Sequence, residues 1–292
     1  MGYGQHQSFY LRDRWLPKAI KEIDNDERFF YDKFAFEKIG LGKNMVQSLR
    51  YWSLATNVIG EDFTKERQKF HFVTAFGKIL NKYDKSIQLN ESASLLHYFL
   101  SKQKEPSTVF YWYFNELDQN IISKEDLLGQ FIEWVEQNET KEISLNSLKK
   151  DIDCLIKLYT AGLNSDDPEE VIQSPLSKIH LIKENKNTIL KSTPSYEEIG
   201  LLALMYTLLD YCIEREDFSL TVDQIYQEKG LWGKIFNLSR IQIVGALEQL
   251  SYDKQYGIKF VRTNQLDTVQ VPQVNPLTFL DEQFQRKIEA FI

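Results

Sequence analysis

The chain has 292 residues, of which 42% are hydrophobic and 13% aromatic, and a formal net charge of −7. This length is too great for one small core and fits two or three domains of ordinary size. The acidic balance argues against a protein coated with positive charge for nucleic acid. The charge is uneven, however, because residues 1–105 hold 17 basic and 13 acidic residues. This asymmetry favours a polyanionic partner for the N-terminal part.

The cysteine content and the hydropathy pattern indicate the compartment. Cys154 and Cys212 both lie in apolar helical patterns, and two buried thiols suit a reducing cytosol better than a disulfide scaffold. The N-terminus lacks the apolar stretch of a signal peptide, and the longest apolar run, which contains Asp210, is shorter than a membrane span. We therefore expect a cytoplasmic protein with no membrane partner.

The first predicted domain, residues 1–84, has the pattern of a winged helix-turn-helix. LPKAIKEI and FFYDKFAFEKI have helical spacing, and Gly40 and Gly42 then permit a tight turn. A third helix is predicted from Lys43 to Asn57, followed by a short strand, a charged loop and the alternating segment KFHFVT. Two helices, a glycine turn, a third helix and a two-stranded wing form a layout typical of DNA-binding modules.

The third predicted helix has one apolar and one polar face. Met45, Leu49 and Trp52 are expected in the core, and the other face presents Lys43, Asn44, Gln47, Ser48 and Arg50. Such a face is usually only solvated surface, but the glycine turn before it and the basic wing after it favour DNA contact. The candidate DNA-binding residues are Arg12, Arg14, Lys18, Lys43, Asn44, Gln47, Arg50, Lys65, Arg67 and Lys69.

The second predicted domain, residues 85–165, is helical. Four stretches show helical spacing, with Ser123 and Ser144 as expected N-caps and Gly162 as an expected helix end. The aromatic cluster FYWYFNEL could stack on single-stranded bases, but packing in a core or a domain interface is the favoured interpretation. The acidic segment NSDDPEEVIQSP is the predicted boundary to the next domain.

The third predicted domain, residues 166–292, is winged-helix-like. IHLIKENKNTILKS predicts two strands around a turn, PSYEEIGLLALMYTLLDYCIERE one long helix, and IKFVRT with LDTVQV a hairpin. The helix between them presents Arg240, Gln242 and Glu248, which is a poor basic face and favours a dimerisation or protein-contact module. The predicted fold class is thus mainly α with small β wings, and a homodimer is a candidate assembly.

Familiar catalytic motifs are missing from the sequence. There is no phosphate-cradling glycine loop, no cysteine and histidine metal set, and no nucleophile elbow. His6 and Arg12 precede the first helix, and a nuclease needs an acid or base and a cation that stabilises the phosphate. They are the catalytic candidates; the alternative is a surface histidine beside phosphate-clamping or salt-bridged arginines. His97 is expected in the core, and His71 receives no role.

Two N-terminal segments resemble a known family. GQHQSFYLRDRWLPKA and IGLGKNMVQSLRYWSLATNVI are similar to the signatures of an uncharacterised-domain family found in bacterial DNA phosphorothioation clusters of the Ssp and Dnd type, where sulfur replaces a phosphate oxygen. Later segments, such as SLLHYFL and SPLSKIHLI, extend the resemblance to about Ile182. Residues that match the signatures are His6, Phe9, Arg12, Trp15, Leu16, Lys18, Lys43 and Asn44. Gln5 departs from the usual glycine, and DKSIQLNES replaces a more acidic stretch.

The resemblance implies an accessory component of such a system, whose Ssp-type relative is a DNA nickase. Our first hypothesis is therefore a DNA-binding protein that nicks or prepares the strand for sulfur incorporation, with Mg²⁺ as the cofactor and other system proteins as partners. The alternative is a non-catalytic winged-helix adaptor or regulator that recruits the sulfur-transfer machinery. A pure protein-interaction scaffold is the third hypothesis, favoured by the acidic C-terminal half.

Overall fold

The fold is seen in a computed structural model that describes residues 2–162, 173–263 and 266–290. It is mainly helical with small antiparallel sheets, which confirms this part of the predicted fold class. Most of the acidic segment predicted as a linker, residues 164–175, lies outside the described residues. No helix in the described ranges is long and apolar enough to cross a membrane.

The N-terminal region consists of helices and one two-stranded ribbon. Its elements are α1 (Trp15–Asn25), α2 (Ala35–Ile39), α3 (Lys43–Ala55), β1 (Ile59–Phe63), β2 (Lys69–Val73) and α4 (Ala75–Tyr83). Gly40 ends α2 in the left-handed conformation (φ 68°), which glycine adopts without a steric penalty. Gly42 is extended and immediately precedes α3 at its N-cap position. The β1–β2 ribbon pairs Ile59 with Val73 and is antiparallel throughout.

One expected helix in this region is interrupted. FFYDKFAFEKI forms a 3₁₀ turn (Phe29–Tyr31) and then the short α2, rather than a single helix. The Asp32 carboxylate accepts a hydrogen bond from the Phe34 amide (2.8 Å), and such local bonds compete with the helical pattern.

The central region contains the helices α5 (Asn90–Lys102), α6 (Thr108–Tyr111), a π-helical turn (Trp112–Glu116), α7 (Lys124–Asn138) and α8 (Leu145–Thr160). Ser123 and Ser144 cap α7 and α8 through their side chains. A short strand that the sequence did not predict, β3 (Ile121–Ser123), precedes α7. It joins β4 (Ile182–Asn185) and β5 (Thr188–Lys191) in a sheet of order β3–β5–β4. This sheet pairs residues on both sides of the predicted boundary at 165.

The C-terminal region, like the central one, has one strand, then helices, then two further strands. It contains α9 (Tyr196–Ile199), α10 (Leu201–Arg215), β6 (Ser219–Thr221), α11 (Val222–Gln227), α12 (Trp232–Ile235), α13 (Arg240–Tyr252), β7 (Lys259–Val261), β8 (Thr268–Gln270) and α14 (Pro276–Glu289). Its sheet has the order β6–β8–β7, so again the first strand pairs with the last. The long helix expected from Tyr196 is broken at Gly200, which adopts a positive φ (90°) that favours glycine, and the Glu91 side chain packs where a Cβ would lie.

One large core cluster draws residues from all three regions. Trp112 and Phe114 of the aromatic cluster are buried in it, at 2% and 0% exposure. His97 lies fully inside, where its ring nitrogens contact the Tyr159 hydroxyl (2.6 Å) and the Ile235 carbonyl (2.5 Å). The ring therefore ties α5 to α8 and α12. The division into three separate domains remains a prediction.

Candidate functional site

The start of α3 presents three exposed polar side chains, Lys43, Asn44 and Gln47, which we call the α3 stripe. Residues three and four apart lie on one face of a helix, so these side chains point the same way. The Lys43 ammonium lies over the Phe36 ring (4.8 Å to the centroid). Ser48, expected on this face, is instead buried and donates to the Phe9 carbonyl (3.3 Å), because it lies on the side of α3 that meets the core.

Arg50 leads from the stripe to the β1–β2 ribbon. Its guanidinium donates to His71 Nε2 (3.0 Å) and to the Tyr31 hydroxyl (3.3 Å) and forms an ion pair with Glu61. Lys69 pairs with the same carboxylate (2.6 Å). We call Tyr31, Arg50, Glu61, Lys69 and His71 the Glu61 network. Both of these predicted DNA contacts therefore also serve the fold, because Arg50 holds the ribbon against α3 and Lys69 joins the two strands of the ribbon.

The pKa values of several network members are shifted, and those of Glu61 and His71 fall most clearly. Partial burial opposes ionisation of Glu61, but hydrogen bonds from Lys69 and Tyr31 and the charge of Arg50 outweigh it and lower its pKa to about 2. Burial and then the Arg50 charge lower the pKa of His71 to about 4. The imidazole is therefore neutral at pH 7, and its Nε2 can accept the hydrogen bond that Arg50 donates. The Tyr31 ring stacks on it at 5.0 Å.

The folded protein should lose stability as the pH falls below about 6.5. Burial lowers the pKa of His97 from 6.5 to about 3, and that of His71 to about 4, so the unfolded chain binds a proton at each histidine first. Their stabilisation is complete above pH 6.5 and is lost as the pH falls towards the folded values. We expect the unfolding free energy to fall by up to about 2.7 kcal/mol per pH unit between pH 6 and 4.

Urea unfolding at pH 7, 6 and 5 measures this slope. His71→Gln keeps an acceptor for Arg50 and removes one titrating group, so it should reduce the slope by about one proton. Equal stability of the wild-type protein at pH 7 and pH 5 would contradict the assignment of two buried neutral histidines.

The turn between β1 and β2 carries two further residues that are predicted to contact DNA. Lys65 and Arg67 are exposed there, and Arg67 adopts a positive φ (60°) in the turn. Phe63 is 57% exposed beside the Lys69 ammonium (5.5 Å). Asp62 and Glu66 lie in the same segment, so its basic residues are balanced by acidic ones. The excess positive charge of this surface therefore comes from Lys43 of the α3 stripe and from Arg50.

His6, a predicted catalytic residue, lies inside the protein with 1% exposure. Its Nδ1 accepts from the Ser8 amide (3.1 Å), so Nε2 carries the proton and donates to Asp151 Oδ1 (2.7 Å). The Gly4 amide donates to the same oxygen (2.9 Å). Burial raises the pKa of the Asp151 carboxyl, and the hydrogen bond from His6 opposes the rise. The pair thus fastens the irregular N-terminal segment, residues 2–14, to α8.

The other N-terminal candidates are away from the α3 stripe. The Arg12 guanidinium lies between the Phe9 and Trp15 rings, 5.5 Å from each centroid, and Arg14 and Lys18 are exposed at the start of α1. The segment meets α3 where Trp52 Nε1 donates to the Phe9 carbonyl (2.9 Å), on the buried side of that helix. The structure therefore does not bring His6 and Arg12 to the stripe.

Comparison with known proteins identifies the family of the chain and its fold. A family model described as a protein of unknown function, DUF4007, matches residues 3–284. The chain belongs to the DUF4007 family. Among solved structures, a magnesium-ion-bound crystal structure of SspB is similar, with a TM-score of 0.87, 22% sequence identity, and coverage of 97% of this chain and 88% of that one. Another SspB crystal structure gives a TM-score of 0.86 at the same identity and coverage. At this identity the likeness shows the fold. No curated protein matches the chain.

Sequence reasoning missed the partners that fix these side chains. Glu61 and Asp151 were not singled out, and His71 received no role. The alternation in KFHFV places His71 on the same ribbon face as Lys69 and opposite Glu61, which was a usable signal. Nothing local connects His6 with Asp151, which lies 145 residues further along the chain.

Proposed function

We propose that this DUF4007 protein is a cytoplasmic, DNA-binding component of a DNA phosphorothioation system. The observation that carries the proposal is the α3 stripe, Lys43, Asn44 and Gln47, exposed at the beginning of a helix that follows a tight glycine turn. In helix-turn-helix proteins, the N-terminal residues of the second helix contact base edges in the major groove. Asparagine and glutamine can make two hydrogen bonds to adenine, and lysine can contact guanine or a phosphate.

The ribbon and its neighbours support the same proposal. We interpret α2, α3 and the β1–β2 ribbon as a winged helix-turn-helix in which Lys65 and Arg67 contact phosphates beside the groove. Such contacts supply affinity that depends on salt, and they carry no sequence information. In the central and C-terminal regions the first strand pairs with the last, which is the strand order that we expect of a winged helix. We expect no DNA contact from these two regions, because their helices lack a basic face. Arg12, Arg14 and Lys18 would meet DNA only outside the footprint of α3.

The proposal has an enzymatic and a non-enzymatic form. In the first, the protein nicks or prepares the DNA strand for sulfur incorporation, as its resemblance to the Ssp-type nickase suggests. In the second, it is an adaptor or regulator that brings other system proteins to DNA. The burial of His6 against Asp151 favours the second form, because a catalytic acid or base must come within hydrogen-bond reach of the substrate proton. The catalytic role of His6 and Arg12 remains a prediction.

The residues around His6 do not fit a Mg²⁺ site of the protein's own. Mg²⁺ takes oxygen ligands in octahedral geometry, commonly one or two carboxylates with water and substrate phosphates. Within the described ranges, no group of three histidine, cysteine, aspartate or glutamate side chains is placed to hold a metal ion. Asp151 is buried, and its Oδ1 already accepts from His6 and Gly4.

A supercoiled-plasmid assay separates the two forms. Purified protein is incubated with plasmid in Mg²⁺ and in EDTA, and the same samples are run in a gel shift at low and high salt. We expect salt-sensitive retention of the plasmid. Intact plasmid under both conditions would support the adaptor. Conversion to open circle with Mg²⁺ but not with EDTA would establish the nickase, provided that the activity persists after a second chromatographic step. A plasmid that is neither shifted nor nicked would overturn the proposed function.

A further inference from the structure

A partly exposed tyrosine contributes its hydroxyl to the Glu61 network. Tyr31 is 37% exposed, its ring stacks on His71, and its hydroxyl donates a hydrogen bond to Glu61 Oε2 (2.6 Å). Glu61 is itself held by Lys69 (2.6 Å) and by its ion pair with Arg50. Covalent catalysis uses a nucleophile within hydrogen-bond reach of a base, with the base oriented by a third group. The network has this arrangement, with Tyr31 as the candidate nucleophile.

The side chains around this hydroxyl have a surplus of positive charge. Arg28 lies over the tyrosine ring (5.4 Å to the centroid), and Arg50 and Lys69 are the other two cations. At pH 7 Glu61 is ionised, because its pKa is about 2, and His71 is neutral, because its pKa is about 4. Three positive charges and one negative charge leave a net charge of +2, which attracts a phosphodiester. The Arg50 and Lys69 side chains are 30% and 47% exposed, so a phosphate can reach both.

A phosphate at these cations also makes Glu61 a better base. Partial burial raises the pKa of Glu61, but hydrogen bonds from Lys69 and Tyr31 and the charge of Arg50 keep it low in the free protein. A phosphate that binds Arg50 and Lys69 shares these stabilising contacts, so the carboxylate then holds a proton more readily. DNA binding therefore prepares the base that the reaction needs.

The Tyr31 hydroxyl lies beside the α3 stripe. Arg50, which donates to this hydroxyl (3.3 Å), follows Gln47 by three residues. That is about 4.5 Å along the axis of α3, and both side chains share one face of the helix with Lys43. The major groove admits one helix between the two phosphate backbones, so phosphates flank a helix that contacts base edges there. The inference rests on the proposed DNA contact, because the stripe brings the duplex to this surface.

We propose that Tyr31 is the nucleophile that nicks the DNA strand and that it becomes joined covalently to the strand in doing so. The Tyr31 oxygen forms a bond to phosphorus, and the bond from phosphorus to one ester oxygen breaks. Glu61 takes the hydroxyl proton, and the Lys69 ammonium protonates the leaving oxygen. Glu61 then returns its proton to Lys69, which is 2.6 Å away. Arg50 stabilises the charge on the phosphate oxygens.

The products are a phosphotyrosine ester and a strand end with a free hydroxyl group. Nothing is oxidised or reduced, and the step consumes neither water nor a metal ion. The freed hydroxyl can attack the phosphotyrosine and reseal the backbone, so a nick remains only if the protein is denatured first. The enzymatic form of the proposed function then depends on Tyr31 and not on His6 or Arg12.

Trapping of the covalent intermediate tests the proposal. The full chain is incubated with supercoiled plasmid in EDTA, and the reaction is stopped with SDS. Nuclease and trypsin digestion followed by mass spectrometry then locates the attached nucleotide. Trypsin cuts after Arg28 and Lys33, and the peptide FFYDK between these sites holds Tyr31 as its one hydroxyl side chain. We expect open-circular plasmid with protein attached, and a nucleotide on this peptide.

Two variants keep the shape of the network and change its chemistry. Tyr31→Phe retains the ring that stacks on His71 and should abolish the adduct. Glu61→Gln retains an acceptor for the hydroxyl but removes the base, so it should slow adduct formation at least about 100-fold. Tyr226→Phe is the matched control, because Tyr226 is 38% exposed and also has an arginine guanidinium 4.8 Å from its ring centroid. It should react like wild type.

A gel shift and a thermal melt of each protein accompany the trapping, and the peptide mapping in wild type does not depend on the folding of any variant. Wild-type protein that shifts the plasmid but forms no adduct would overturn the role of Tyr31 and leave the proposed DNA binding intact. An adduct retained by Tyr31→Phe, or formed at the wild-type rate by Glu61→Gln, would overturn it as well. Protein that neither shifts the plasmid nor forms an adduct would overturn both proposals.

Discussion

Replacing Lys43, Asn44 and Gln47 together by alanine is expected to weaken binding to duplex DNA by about 100-fold, or ~2.7 kcal/mol. All three side chains are exposed at the start of α3, and their removal deletes base-edge and phosphate contacts without opening the core. Fluorescence anisotropy with a labelled duplex measures the affinity. The melting temperature should change little, because exposed substitutions away from special features usually alter stability by under ~0.5 kcal/mol.

The matched control for this variant removes the same three residue types from another surface. Gln137, Asn138 and Lys141 are exposed at the end of α7 and just beyond it. Their combined replacement by alanine should leave the affinity within about twofold, since the loss of long-range attraction from one charge is small at physiological salt. Equal losses in the two triple variants would show that the effect is general electrostatics and would contradict a specific role for the stripe.

Asp151→Ala is expected to lower the free energy of unfolding by about 3 kcal/mol at pH 7. The carboxylate is buried and accepts hydrogen bonds from His6 Nε2 and the Gly4 amide, and breaking a buried pair leaves donors without an acceptor. Urea unfolding measures the loss. The N-terminal segment should also become accessible to trypsin at Arg12 and Arg14, because the pair fastens it to α8.

The neighbouring residue Asp153 provides the control. It is an exposed aspartate on the same helix, so Asp153→Ala should change stability by less than about 0.5 kcal/mol. His6→Ala should cost about as much as Asp151→Ala, and the double variant should cost less than the sum of the two, since the residues act as one unit. Additive effects in this cycle would contradict the pairing. Activity of a His6 variant must therefore be compared at equal folded fraction.

Local patterns predicted the elements whose causes are local. Gly40 and Gly42 indicated the turn before α3, Ser123 and Ser144 indicated two helix starts, and the alternation of KFHFVT indicated β2. Each signal depends on backbone conformation or on a side chain within a few residues. These are the features that a single sequence can specify.

Features with distant causes could not be read in the same way. The Glu91 side chain that packs against Gly200 lies more than a hundred residues earlier in the chain, and β3 depends on pairing with β5. The helical periodicity of PSYEEIGLLALMYTLLDYCIERE gave no warning of the first. A three-residue strand such as Ile121–Ser123 is too short to show the second.

In the candidate site, too, features with local causes could be predicted and features with distant causes could not. Helical periodicity was sufficient to place Lys43, Asn44 and Gln47 on an exposed face. It could not show that Arg50 and Lys69 share the Glu61 carboxylate across the ribbon, because that contact depends on the fold. Basic residues were therefore easy to find, and the partners that occupy some of them were not.

The salt dependence of DNA affinity for wild type and Lys43→Ala tests the central claim most directly. A lysine that neutralises one phosphate contributes about 0.9 to the slope of log Kd against log salt concentration. We predict salt-sensitive wild-type binding, a slope reduced by about that amount in Lys43→Ala, and an unchanged slope in Lys141→Ala. A wild-type affinity that does not depend on salt, or a slope that Lys43→Ala leaves unchanged, would contradict DNA contact by the α3 stripe.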